Sequence, residues 1–90
     1  MPAPYRVELA RKARKVIERM DVPLRERILA AIRGVALDPH AASEKLKGYE
    51  LYRHRVGVWC IIYQINDREL VVLVVRVAPR REVYDSLGNL

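Results

Sequence analysis

The sequence predicts an α+β domain: an antiparallel-dominated sheet with a two-helix hairpin on one face, in the order strand, helix, helix, strand, strand, strand. Three observations predict it. From Leu46 to Ile65 the chain reads as two strands joined at Gly57, and a third run from Glu69 to Ala78 follows Asn66-Asp67-Arg68, which makes a meander. Two segments between Ala10 and Leu37 carry apolar residues at helical spacing. Two helices on one face of the sheet is the simplest way to bury both apolar sets.

Tyr5, Val7 and Leu9 alternate with Arg6 and Glu8, so this stretch predicts a first strand. In the first helical segment Ala13, Val16, Ile17 and Met20 share a face, while Arg11, Lys12, Arg14, Lys15, Glu18 and Arg19 form the wet side. Asp21 offers a cap and Pro23 suits the first turn of a second helix. Its buried stripe is Leu24, Ile28, Ala31, Ile32 and Val35, and Asp38-Pro39 stops it, because the residue before a proline is pushed out of the helical region. His40 to Lys47 reads as a connecting loop, or as a loop with one helical turn. After Pro79 come Arg80-Arg81-Glu82-Val83-Tyr84 and a polar tail from Asp85 to Leu90. With no repeat, low-complexity tract or linker, residues 1–90 are expected to form a single domain.

The chain carries a net charge of +6, and a basic surface favours polyanions or acidic partners. Cys60 is the one cysteine, which excludes an internal disulfide. Without a signal peptide or an apolar run of membrane-spanning length, the cytoplasm is the default and no membrane partner is expected. No His/Cys cluster has metal-ligand spacing, so neither a metal nor a cofactor is expected.

The helices cover one sheet face, and the other meets water or a ligand. Arg76 is hard to bury unpaired, which assigns Leu70, Val72, Val74 and Arg76 to the uncovered face and Val71, Leu73, Val75 and Val77 to the core. A three-residue turn at Asn66-Asp67-Arg68 would pair Ile65 with Glu69 and set Cys60 opposite Val74. Cross-strand partners share a face, so Cys60, Ile62 and Gln64 join the uncovered set, and Trp59, Ile61 and Tyr63 the core. Arg53 and Arg55 belong with the uncovered set, Arg76 lies diagonal to Cys60, and Arg80, Arg81 and Tyr84 come near one end. Guanidinium groups present forked donors suited to phosphate oxygens, and their charge does not titrate away. The site class is phosphodiester binding, with Arg76, Arg81 and Lys47 as supporting phosphate contacts.

Several ordered pieces of the chain resemble the RelE toxins of type II toxin–antitoxin modules, in the RelE/ParE superfamily. They are Tyr5-Arg6-Val7 before a basic helix, Arg25-Glu26-Arg27-Ile28, and Pro39 followed by Lys45-Leu46-Lys47-Gly48. Further on are Leu51-Tyr52-Arg53-His54-Arg55-Val56-Gly57, Ile61-Ile62-Tyr63-Gln64-Ile65, and the ending from Val75 to Tyr84. The resemblance covers nearly the whole chain. It implies a RelE-like, microbial ribonuclease-type fold and a toxin that enters the ribosomal A site and cuts mRNA there without a metal. It also implies a cognate antitoxin wrapped around the toxin, and operator DNA bound only through the toxin–antitoxin complex. Carried over by position, the catalytic set falls on Arg53, Arg55, Arg80 and Tyr84. Where the family has a phosphate-holding arginine directly after the aromatic residue, this chain has Cys60. That departure implies a slow enzyme, a toxin with a different target, or a charge supplied by Arg76 from the neighbouring strand.

Cleavage by the neighbouring 2′-hydroxyl needs in-line geometry, charge stabilisation on the phosphorane and proton transfer. Arginines supply the second but are poor bases, with a pKa above about 12. Tyr84 is a candidate for the proton if guanidiniums lower its pKa from about 10. His54 alternates with the two arginines and should point away from them, and His40 reads as plain surface. The bland reading of Arg53 and Arg55 is a solvated strand or an antitoxin dock, and that of Cys60 a small apolar filler. Ile62, Val72 and Val74 are the expected antitoxin contacts, forming an exposed apolar patch under an added helix or strand. Three functions are in play: a ribosome-dependent endoribonuclease, a ParE-like inhibitor of DNA gyrase acting by binding, and a catalytically weakened toxin that retains its antitoxin.

Overall fold

The computed structural model describes residues 4–42, 44–46, 48 and 50–82. Its elements are β1 (Arg6–Leu9), α1 (Arg11–Glu18), α2 (Val22–Leu37), β2 (Glu44–Lys45), β3 (Tyr52–Val56), β4 (Trp59–Asn66) and β5 (Val71–Pro79). They form an α+β fold with one sheet in the order β1-β5-β4-β3-β2. β1 runs parallel to β5, and the remaining pairs are antiparallel. β2 falls in the stretch expected to be a loop or a helical turn. Two residues carry no alternation to read, yet they pair Glu44 with Arg53 and Lys45 with Tyr52 and so extend the sheet past β3.

The helices lie on one face of the sheet, and their apolar stripes meet it as the spacing requires. Ala13, Ile17, Met20, Ile28, Ile32 and Val35 pack against Ile61, Tyr63, Val72, Val74 and Val77. The tight join between α1 and α2 is held by Arg25, whose side chain donates to the carbonyls of Ile17 (3.3 Å), Glu18 (3.0 Å) and Met20 (2.9 Å). Ile17, whose carbonyl also accepts from the Met20 amide at 3.2 Å, and Glu18 lie in the last turn of α1, where carbonyls fall outside the regular helical ladder, and Met20 follows in the turn. Asp21 occupies the N-cap position of α2 but makes no capping bond through its side chain; its carbonyl accepts from the Arg25 amide at 2.9 Å.

The strand register departs from the expected one at two places. The β4–β5 turn is longer than three residues, so Asn66 pairs with Val71 and Ile65 with Val72. Asn66 Oδ1 accepts from the Glu69 amide at 3.0 Å, and Leu70 takes a left-handed φ of 56°. Further along, Ile62 pairs with Arg76 while Tyr63 pairs with Val74, which leaves Val75 as an extra residue. This bulge reverses the alternation on β5. Val72, Val74 and Val77 therefore all belong to the helix-side core, whereas Arg76 shares a row with Ile62 on the opposite face. Cys60 stands opposite Ala78 rather than Val74, and Arg76 is still its diagonal neighbour.

The face away from the helices is itself partly covered. Leu46 and Leu51, on either side of the bend between β2 and β3, form a second cluster with Cys60, Ile62 and Ala78. Cys60 is 0% exposed and Ile62 1%. The expected apolar patch is therefore filled from within the chain, and among the described residues the exposed large apolar ones are the scattered Val22, Leu37, Val58 and Leu70. No helix among the described residues is long and apolar enough to cross a membrane.

Candidate functional site

Two rows of side chains cross the face opposite the helices. One runs Glu44, Arg53, Ile62, Arg76 across β2, β3, β4 and β5. The next, one step nearer the β3–β4 turn, runs Arg55, Cys60, Ala78. Residues that pair across strands share a face, so three guanidiniums and one carboxylate surround a small buried apolar centre. The turn beyond them is Gly57-Val58, with a φ of 59° at Gly57, a conformation glycine adopts freely. Val56 pairs with Trp59 across it, which makes a two-residue hairpin.

Arg80 joins the same end. Its amide donates to the Val58 carbonyl at 2.7 Å, tying the end of β5 to the turn. With Arg81, Gly57, Val58 and Pro79 it lines a groove of about 530 Å³. Arg27 comes to this turn from α2: a Cβ on Gly57 would lie 3.2 Å from its Nη2. In the sequence Arg27 stood only within the piece Arg25-Glu26-Arg27-Ile28, and no local signal tied it to a turn thirty residues away.

Glu44 is the acidic member that sequence reading missed. Its carboxylate accepts a hydrogen bond from Arg53 Nη2, and the Arg53 side chain is only 11% exposed against 72% for Glu44. The hydrogen bond and charge of Arg53, with a smaller contribution from Arg55, hold the Glu44 pKa below the ordinary carboxylate value. The two residues line a cleft of about 360 Å³ with Ala41, Ala42, His54 and Arg55. His54 belongs to the other alternation, opposite Ile61, and its Nδ1 lies 2.6 Å from the Ala42 carbonyl. Since a carbonyl only accepts, Nδ1 is the donor in this contact.

Among the sequence-predicted residues, the fold brings Arg53, Arg55 and Arg76 onto one face and Arg80 and Arg81 to its turn end. Arg76 is half-buried, and its Nε is buried with no hydrogen-bond partner among the described residues. Lys47 and Tyr84 lie outside the described residues. The expected antitoxin contacts are corrected. Val72 and Val74 are 0% exposed within the helix-side core, because the longer turn and the Val75 bulge turn them inward, and Ile62 lies under Leu46 and Leu51. Among the described residues, no group of three or more His, Cys, Asp and Glu is placed to hold a metal ion.

His40 is also more than plain surface. Its Nε2 meets both carboxylate oxygens of Asp67, at 2.8 and 3.0 Å, and its ring packs edge-on against Tyr52. The Tyr5 hydroxyl donates to Asp67 Oδ1 at 2.6 Å. This cluster ties the start of β1 and the α2–β2 connection to the β4–β5 turn, at the end of the sheet away from Gly57.

Comparison with known proteins follows this geometry. Residues 7–84 match the family model described as the ParE toxin of the type II toxin–antitoxin system parDE. A RelE-like toxin protein of Escherichia coli is 26% identical over 87 residues, covering 90% of this chain and 90% of that protein. Among solved structures, the toxin–antitoxin complex RelBE2 of Mycobacterium tuberculosis contains a chain of the same fold, with a TM-score of 0.79 at 21% identity over 87% of this chain and 100% of that one. The archaeal RelE–RelB complex of Pyrococcus horikoshii gives a TM-score of 0.74 at 25% identity, covering 87% and 97% of the two chains.

Proposed function

The chain belongs to the ParE toxin family of type II toxin–antitoxin systems, within the RelE/ParE superfamily, and we propose that it is a ribosome-dependent endoribonuclease that cuts mRNA in the A site. The observation that carries this reading is the row that sets Glu44 beside Arg53, with Arg55 next to it and Arg80 at the end of the face. Arginines alone leave the 2′-hydroxyl proton without an acceptor; a carboxylate held ionised among them supplies one.

In this mechanism Arg53, Arg55 and Arg80 hold the scissile phosphate. As the phosphate takes up Arg53, the Glu44 carboxylate is released from its ion pair and accepts the 2′-hydroxyl proton. The 2′-oxygen attacks phosphorus, and the bond to the 5′-oxygen breaks. The leaving oxygen takes a proton from Tyr84, leaving a 2′,3′-cyclic phosphate and a 5′-hydroxyl. The guanidiniums act on charge that grows at the non-bridging oxygens, where fixed donors are most effective. Ordering of the mRNA by the ribosome supplies the in-line geometry that a shallow sheet face does not impose.

A cognate antitoxin is the proposed partner, in the cytoplasm, and operator DNA is reached only through that complex. Similar chains have been crystallised as toxin–antitoxin complexes. Acidic antitoxin residues would meet Arg55, Arg80 and Arg81, all exposed. A second reading is inhibition of DNA gyrase by binding alone. The match to the ParE branch and the cysteine at position 60 favour it. A purified translation assay and a gyrase supercoiling assay separate the two: A-site cuts with unimpaired supercoiling support the nuclease, and the reverse pattern supports the gyrase inhibitor.

A further inference from the structure

We propose that the tip of the β3–β4 hairpin is a second phosphate-binding subsite, in which Arg27 holds the RNA backbone beside the scissile phosphate. The inference rests on the phosphodiester-binding reading of the neighbouring face. Gly57 and Val58 form the tip, and both are exposed. Arg27 reaches it from α2. A Cβ on Gly57 would lie 3.2 Å from Nη2, 3.8 Å from Cζ and 3.9 Å from Nη1 of Arg27, so the guanidinium lies against the glycine. The absence of a side chain at Gly57 is what leaves room for it.

The guanidinium is seated between a helix and a turn, yet Arg27 is exposed and makes no hydrogen bond or ion pair among the described residues. Its five N–H donors are therefore left for a ligand. A donor fork already held in place loses less freedom on binding than a loose surface side chain. Two further features point to a phosphodiester chain. Arg80 and Arg81 line the groove at this tip, so cations flank it from α2 and from the end of β5. Between them Val58, 72% exposed, and Pro79 supply an apolar floor for a ribose or a base. Single-stranded nucleic acid presents anionic and flat apolar groups in alternation, the pattern such grooves track. Arg55 lies two residues before Gly57, about 7 Å along the strand, so a backbone seated on the open face passes directly onto the tip.

The test uses the full chain and a twelve-nucleotide RNA methylated at every 2′-oxygen, which offers phosphates and cannot be cut. Affinity over a range of salt concentrations and thermal stability are measured for the parent, Arg27→Met, Arg27→Lys and Arg55→Met. Arg68→Met, in the β4–β5 turn at the opposite end of the sheet, is the control. Arg27→Met is expected to lose affinity about tenfold at low salt. It should also lower the slope of log affinity against log salt by about 0.7, the value of one single-strand phosphate contact. Arg27→Lys should keep the parent's slope, and both variants should melt close to the parent. An arginine that only braces the turn would give a lower melting temperature with an unchanged slope, which overturns the proposal. If Arg55→Met weakens binding and Arg27→Met does not, the phosphate face stands and the tip subsite fails. If neither weakens binding beyond Arg68→Met, both readings fail together. If Arg27→Met weakens binding of deca-glutamate but not of the RNA, the tip is a dock for an acidic protein and the proposal is overturned.

Discussion

Glu44 and Arg53 face each other across the β2–β3 pair, and the carboxylate accepts a hydrogen bond from the guanidinium. The folded pKa of Glu44 lies below its ordinary value, with Arg53 as the main cause. A depressed carboxylate pKa contributes stability that is complete above the unfolded value, about 4.3, and is lost as pH falls through the folded one. As a general base, Glu44 is ionised across neutral pH. The pH profile of kcat/KM, which reports the free chain, should therefore show its acid limb below about 4.3, and Glu44→Gln should abolish that limb while slowing cleavage by about 10²–10⁴-fold.

Arg25 holds three carbonyls at the end of α1. Arg25→Met keeps much of the aliphatic stem and removes the donors. The expected cost is about 2 kcal/mol, in the range for hydrogen bonds to a charged group. Urea unfolding of the variant should show the midpoint fall with an unchanged slope.

Restoring an arginine at Cys60 by substitution should fail to improve the enzyme. Cys60 is fully buried among Leu46, Leu51, Ile62 and Ala78, so the new guanidinium would enter a filled apolar cluster. Cys60→Arg is expected to destabilise the chain by about 3 kcal/mol or more, through overpacking and an unpaired buried charge. Cys60→Ala removes only the sulfur and should cost about 1 kcal/mol. Thermal unfolding of the two variants side by side tests the contrast.

The Asp67 cluster sets a pH window. Hydrogen bonds from Tyr5 first, then His40, lower the Asp67 pKa, and the bond to Asp67 raises that of Tyr5. The Asp67 contribution is complete above its unfolded value and is lost as pH falls through its folded one. The Tyr5 contribution is complete below about 10 and is lost as pH rises through its raised folded value. Asp67→Asn should flatten both the acid and the alkaline limb of melting temperature against pH. A profile unchanged at both ends would show that the cluster contributes nothing.

The two helices were legible because each carries an unbroken apolar stripe, from Ala13 to Met20 and from Ile28 to Val35. The faces of Cys60, Ile62 and Arg76 were legible too, because a guanidinium and a helix-covered core are incompatible. Val72 and Val74 were misplaced because β5 is apolar on both faces, so its alternation could not reveal the extra residue at Val75. β2 was missed because two residues have no period. With it went Glu44, whose place beside Arg53 depends on a pairing between segments nine residues apart. The burial of Ile62 was missed for a related reason: Leu46 and Leu51 sit on either side of a bend, and only the fold shows that they return over the sheet.

The most direct test is primer extension on an mRNA in a purified translation system, comparing the parent chain with Glu44→Gln and Arg80→Ala. The expected result is cutting at A-site codons by the parent, loss of those cuts in both variants, and melting temperatures close to the parent's. Cuts that persist in Glu44→Gln would remove the carboxylate from the mechanism. No cuts by the parent chain, together with inhibited supercoiling by gyrase, would contradict the nuclease reading itself.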